Sequence, residues 1–249
     1  GEIPMRILKI VTLFVAVVFL APMATASAWW MTLERPSSWR SADWSATGML
    51  PDPEVDRDAA VYILAARTGG FKGAFAVHSW IVLKEPGAPN YERYEKVGWG
   101  TPIRRDGYAA DAAWYSNHPW IVTGLTGKQA EAALPEVRKA IASYPFSKRG
   151  DYRIWPGPNS NSFTAHVLRE TPQLDAVLPP NAVGRDSLSD GGWFAVDRGG
   201  RDMHLSVAGL AGLSVGMRSG LEVHLLGQTA GIDLKRPALK IPAVGRVGF

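Results

Sequence analysis

The segment Trp155-Pro156-Gly157-Pro158-Asn159-Ser160-Asn161-Ser162-Phe163 constrains this chain more tightly than any other stretch. Two prolines and a glycine within three residues cannot continue a helix, because proline lacks a backbone N–H and has a fixed φ. Asn159 and Ser160 are good N-cap residues. Beyond them, Phe163 and Val167 fall at i, i+4 on one helical face. The pattern predicts a helix that opens at Asn159 or Ser160 and ends near Glu170, before Pro172. Ser160 then sits in or beside the first turn, where unpaired N–H groups and the positive end of the helix dipole favour a developing anion. That is a place for a nucleophile, and the same residues also read as a plain helix cap.

A serine nucleophile needs an adjacent base, and the base needs a third group to orient it. His78 lies in an apolar run, Phe75 to Lys84, that reads as a strand. Val61 to Arg67 is a strand before it and Tyr91 to Trp99 one after it. The candidate catalytic set is Ser160 as nucleophile, His78 as base and Glu95 as orienting group. Asp106, Tyr94 and Asp111 are alternatives for the third place, and a lone histidine in an apolar strand also reads as a bonded core residue.

Gly127 to Tyr144 is the clearest helix, with Ala130, Leu134, Val137 and Ile141 at helical spacing and Pro145 as the stop. Leu178 to Gly200 reads as loop. From Met203 to Leu234, apolar runs separated by glycines suggest a meander of short strands, and the tail from Arg236 is expected to lie extended on the surface. The class is α+β, an antiparallel sheet with a few helices. Residues 59–249 are expected to form one domain and residues 31–58 a linker packed on it.

The chain of 249 residues has no cysteine, which excludes disulfides, thiolate metal sites and a cysteine nucleophile. His118, His166, His204 and His224 contain no i, i+4 pair and no carboxylates cluster near them in sequence, so neither metal nor cofactor is expected. His204 and His224 are expected to point outward from their strands. A net charge of +4 without a Lys/Arg block argues against nucleic acid as partner. No G-x-S-x-G elbow is present.

Arg6 and Lys9 precede an apolar stretch from Ile10 to Ala21, and Pro22 to Ala28 offers small-residue cleavage patterns. This is signal-peptide grammar. Residues 7–30 are also long enough to span a membrane, with Trp29 and Trp30 as interfacial residues. We expect segment 1–30 to be a retained anchor in contact with membrane lipid at the bacterial inner membrane. Its N-terminus would be cytoplasmic and the domain periplasmic, with cleavage and release into the periplasm as the alternative.

Trp39 to Trp44, His78-Ser79-Trp80-Ile81-Val82, Val97-Gly98-Trp99-Gly100 and Tyr152 to Phe163 together resemble a family of bacterial envelope proteins known only as a domain of unknown function. That resemblance runs from about residue 36 onward and implies no activity. A shorter one is to the circularly permuted papain-like hydrolases of the NlpC and lecithin–retinol acyltransferase type, in which Asn-Cys-x-x-Phe opens a helix. Asn159, Ser160 and Phe163 fit with serine in the cysteine position, His78 falls where their strand histidine lies, and Glu95 approximates their third polar residue. The resemblance implies a papain-like sheet and hydrolysis or acyl transfer at an amide or ester in the envelope. A hydroxyl does not ionise beside an imidazolium as a thiol does. Two functions therefore stand side by side: a serine-variant hydrolase or acyl transferase, and a non-catalytic accessory subunit of a membrane-protein complex.

Overall fold

The computed structural model describes residues 2–248. The N-terminal stretch forms one rod in three parts: α1 (Glu2–Phe14), a π-helical segment (Val15–Leu20) and α2 (Ala21–Met31). Pro4–Met31 is long and apolar enough to cross a membrane. From Val15 onward the rod has two different sides. Val15, Phe19, Met23, Ala26 and Trp30 recur at three- and four-residue spacing and are wholly or partly buried against the rest of the chain, while Val17, Leu20 and Trp29 stay exposed. Trp30 donates to Gly70 O at 3.0 Å, and its ring lies where a Cβ on Gly73 would have to go. The Arg67 guanidinium stacks over Trp29 and Trp30.

The strand β1 (Ala60–Arg67) is buried along almost its whole length, as expected of a central strand covered on both faces. It pairs antiparallel with β2 (Val77–Lys84) and with β5 (Trp120–Thr126), while β3 (Glu92–Lys96) and β4 (Ile103–Arg105) continue the sheet beyond β2. The order is β4-β3-β2-β1-β5. On one face, Val61, Ile63, Ile81 and Leu83 pack against α3 (Gly127–Ala142) and α4 (Ser160–Glu170) through Leu134, Val137, Phe163 and Val167. On the other, Tyr62, Leu64, Trp80 and Val82 are covered by Leu50, Trp44, Met49 and Trp114 from irregular segments. The 34–58 region is thus fastened to the sheet by its aromatic and apolar side chains.

The second sheet is a meander of seven strands in sequence order: β6 (Phe194–Val196), β7 (Asp202–Val207), β8 (Ala211–Gly216), β9 (Gly220–Leu225), β10 (Gln228–Asp233), β11 (Ala238–Ile241) and β12 (Gly245–Gly248). Leu226 and Gly227 close the β9–β10 hairpin with φ of 52° and 91°, the left-handed pair that matches strand twist. The tail is extended as expected, but it is part of the sheet rather than laid across the surface. It adds β11 and β12, with Pro237 and Pro242 placed in turns where no ladder hydrogen bond is lost.

This sheet is inverted relative to the usual pattern. His204, Ser214, Glu222, His224, Thr229 and Lys240 face the interior, whereas most alternate positions are apolar and exposed, Gln228 and Ala230 on β10 being buried. The expectation that His204 and His224 point outward is therefore corrected. They belong to the polar face, and it is the polar face that is buried here. Their partners explain how that burial is tolerated. His204 contacts Asp197 and Ser214, and Ser214 contacts His224, which reaches Thr229, each link 2.8 Å long. Glu222 receives Arg185 at 3.0 and 3.1 Å and Lys240 at 2.5 Å. Burial would raise the Glu222 carboxyl, but those two cations hold it down at about 2.

Candidate functional site

The helix α4 begins at Ser160 because Asn159 caps it: its side chain accepts from the backbone N–H groups of Asn161 (2.9 Å) and Ser162 (3.2 Å). Ser162 Oγ completes the box at the Asn159 N–H and also donates to Gly184 O at 2.7 Å. Ser162 is thereby committed to structure. The Ser160 hydroxyl has no hydrogen-bond partner among the described residues and lines a cavity of about 550 Å³. Of the two serines, Ser160 is the one that lines this cavity.

Asn161 fixes this helix end against β2. It donates to Val77 O and Val183 O, both at 2.9 Å, and accepts from Ser79 Oγ at 2.8 Å. The residue between Val77 and Ser79 is His78, which lines the same cavity. Strand alternation sends His78, Trp80 and Val82 to the face opposite α4. His78 and Ser160 therefore share only the cavity they both line, at the end of the sheet where the strand begins and the helix starts. No hydrogen bond joins them among the described residues.

His78 Nε2 lies 2.6 Å from Glu95 Oε2 on β3. Arg93 donates to the same oxygen at 3.0 Å and Arg104 to Oε1 at 2.9 Å. Burial would raise the Glu95 carboxyl, but His78 and the two guanidinium groups outweigh it and hold the group well below the ordinary carboxylate range. Burial pushes His78 below its ordinary value; the Glu95 contact opposes this and both arginines reinforce it. The imidazole is thus neutral at neutral pH, and the carboxylate, being acceptor only, requires the proton on Nε2. That leaves the Nδ1 lone pair free to take a proton. The ring is held by stacking on Trp114, with centroids 3.8 Å apart at 12°, and Arg93 lies over Trp80 at 4.0 Å.

The alternatives for the third position are engaged elsewhere. Asp106 accepts from Arg93 N–H, Tyr94 donates to Glu92, and Asp111 accepts from Leu50 N–H. Sequence reading missed Arg93, Arg104 and Trp114. Arg93 carried a signal, since Arg93 and Glu95 at i, i+2 must share one face of their strand; Trp114 sits in an irregular segment and carried none. The rest of the cavity wall is largely apolar and aromatic and includes Phe75, Trp99, Tyr152, Trp155 and Leu226, with Met23 from the N-terminal rod.

One cluster contradicts the expectation that carboxylates stay away from the histidines. Asp197, Asp202 and His204 bring their ligand atoms within 4.8 Å of one another, because a hairpin folds 197 and 202–204 together. The donors are already used. Arg218 pairs with Asp197, His204 Nε2 contacts the other Asp197 oxygen, and Asp202 accepts from Arg218 N–H and from the N–H and hydroxyl of Ser219. A guanidinium occupies the place a cation would take.

No curated protein and no solved structure matches this chain. A family model described as "Protein of unknown function (DUF3750)" matches residues 58–187. That span carries the first sheet, α3, α4 and the residues Ser160, His78 and Glu95, and it ends before the seven-stranded sheet begins. By a match over more than half of its length, the chain belongs to the DUF3750 family.

Proposed function

We propose that the cavity at the start of α4 is the site of a serine-dependent hydrolase or acyl transferase acting on an amide or ester, in a protein held at the inner membrane by its N-terminal rod with the domain on the periplasmic side. One observation carries this reading: His78, bonded to Glu95, and Ser160, whose hydroxyl takes part in no hydrogen bond among the described residues, line the same cavity. Ser160 would attack the carbonyl carbon while His78 Nδ1 takes its proton. Glu95 would stabilise the imidazolium that forms, and N–H groups of the first turn of α4 would receive the oxyanion. The leaving group would depart with the proton from His78, and water or an acceptor alcohol or amine would release the acyl group. The succession of His78 on one strand, Glu95 on the next and Ser160 opening a helix supports a papain-like, circularly permuted arrangement. Catalytic hydrogen bonds are often long before substrate binds, so an unbridged Ser160–His78 pair is compatible with this role.

A fluorophosphonate probe tests it. The wild-type chain should be labelled at Ser160, labelling should vanish in Ser160→Ala and drop at least tenfold in His78→Ala, and circular dichroism should stay unchanged. Unlabelled wild-type protein, or equal labelling of Ser160→Ala, sinks the catalytic reading. A second reading is a non-catalytic accessory subunit that uses the fold as a scaffold. It is favoured by the placement of His78 on the sheet face opposite α4, and stoichiometric co-purification of a membrane-protein partner with Ser160→Ala would support it.

A further inference from the structure

The outer face of the seven-stranded sheet carries an uninterrupted apolar row. The strand registers place Val196, Met203, Val215, Leu221, Ile232, Leu239 and Val247 side by side, one from each strand. Each is between 42 and 52 % exposed. With strands about 4.8 Å apart, the row runs for roughly 29 Å. Scattered exposed apolar residues need no explanation, but a continuous row across a whole sheet marks a surface that meets something apolar. The buried polar layer beneath it makes the point sharper, because this sheet places its charges inside and its hydrocarbon outside.

We infer that this row rests on the lipid bilayer, in the headgroup and upper acyl region, forming one membrane-contacting surface with the N-terminal rod. The inference shares with the proposed function only the retention of the rod at the membrane and does not depend on catalysis. Three observations point to lipid as the occupant. First, the rod and the row share a strand: Val15–Leu20 packs on β10, which contributes Ile232. Second, that docking leaves Pro4–Phe14 exposed on every side. A rod held to the sheet by its middle cannot be surrounded by lipid unless the sheet itself reaches the bilayer. Third, the turns at the near end of the row combine exposed Met217 and Leu234 with exposed Arg198, Arg201, Lys235 and Arg236. Glu136 pairs with Arg198, and Asp175 is shared by Arg201 and Lys235, so cationic charge remains in excess there. Apolar tips flanked by cations suit an anionic phospholipid surface. The open backbone edges of β6 and β12 set the depth limit, because unpaired N–H and C=O groups cannot enter the hydrocarbon core. The sheet therefore lies in the interface, and the free part of the rod enters the bilayer only as deep as Arg6 and Lys9 can reach back to the headgroups.

The absence of cysteine permits a direct test. In the full chain, single nitroxide labels are placed at Leu221→Cys and Ile232→Cys in the row, at Leu8→Cys in the free part of the rod, and at Val55→Cys on an exposed segment elsewhere. After reconstitution into phosphatidylethanolamine/phosphatidylglycerol nanodiscs, collisions with oxygen and with a water-soluble nickel chelate are compared, with circular dichroism as the check on folding. The row labels should favour oxygen over nickel several-fold more than the Val55 label does, as should the Leu8 label. Row labels as nickel-accessible as Val55, with Leu8 in lipid, overturn the sheet contact and leave the anchored rod standing. Nickel access at Leu8 as well removes the anchor and the inference together. Row labels shielded from both reagents would mean a protein covers the face and would overturn lipid as its occupant.

Discussion

At the level of single residues, Glu95 is the group on which the candidate site depends. It receives His78, Arg93 and Arg104, and its removal would strand two guanidinium groups near or within the core. Glu95→Gln should destabilise the chain by about 3 kcal/mol, read from the urea midpoint, since breaking one partner out of a buried ionic cluster leaves uncompensated charge. A much smaller change would mean that water already screens the cluster. Because burial holds His78 below its ordinary imidazole value of about 6.5, the acid limb of kcat/KM should fall below pH 6.5, as the base form persists on acidification. Ser160, His78 and Glu95 were legible in the sequence because each sits in a pattern with a local meaning: a capped helix start, an apolar strand and its neighbour. The two arginines and Trp114 were harder to see, because their roles arise only once three separate segments converge on one carboxylate.

Among the elements, α4 and the N-terminal rod are each secured by a few identifiable contacts. Asn161 joins α4 to both neighbours of His78, and Asn161→Ala gives up two buried hydrogen bonds and one partly buried one. A loss of about 2–3 kcal/mol in stability is expected, together with a fall in any probe labelling at Ser160 larger than the stability change explains. Trp30 secures the rod through its buried ring and its bond to Gly70. Trp30→Ala should release residues 1–31 to limited proteolysis at least tenfold faster while the domain keeps its thermal transition. Unchanged cleavage would show that Phe19 and Ala26 suffice to hold the rod. The start of α4 could be read from composition alone, since Pro-Gly-Pro-Asn permits little else. The strands β5, β11 and β12 could not. Trp120–Thr126 contains Gly124, which looks like a breaker but sits under the Tyr62 ring. The tail's prolines resemble those of a surface segment, although both fall in turns.

For the molecule as a whole, buried histidines, one on α4 and one in the inverted sheet, tie stability to pH. His166 is held at about 4 and His224 at about 3, in both cases chiefly by burial. The unfolded chain binds protons at these sites near pH 6.5 and the folded chain does not, so stability is complete above that value and is lost as pH falls toward 4. Glu222, held at about 2, acts in the same direction below its own unfolded value. Thermal midpoints measured from pH 7.5 to pH 4 should therefore decline steadily, with the steepest part below pH 6.5. A flat profile would show that these side chains are hydrated in the folded state. None of this was visible in the sequence, where period-two alternation shows that a strand has two faces but not which of them is buried. That choice is made by partners outside the strands: Arg185 neutralises Glu222, and Asp197, itself paired with Arg218, holds His204. The same arrangement bears on how the meander assembles. If any hairpin paired one position out of step, Glu222 and Lys240 would turn outward, and Leu221 and Leu239 would press against guanidinium groups. Misalignment is penalised on both faces at once, so the sheet proofreads its own pairing.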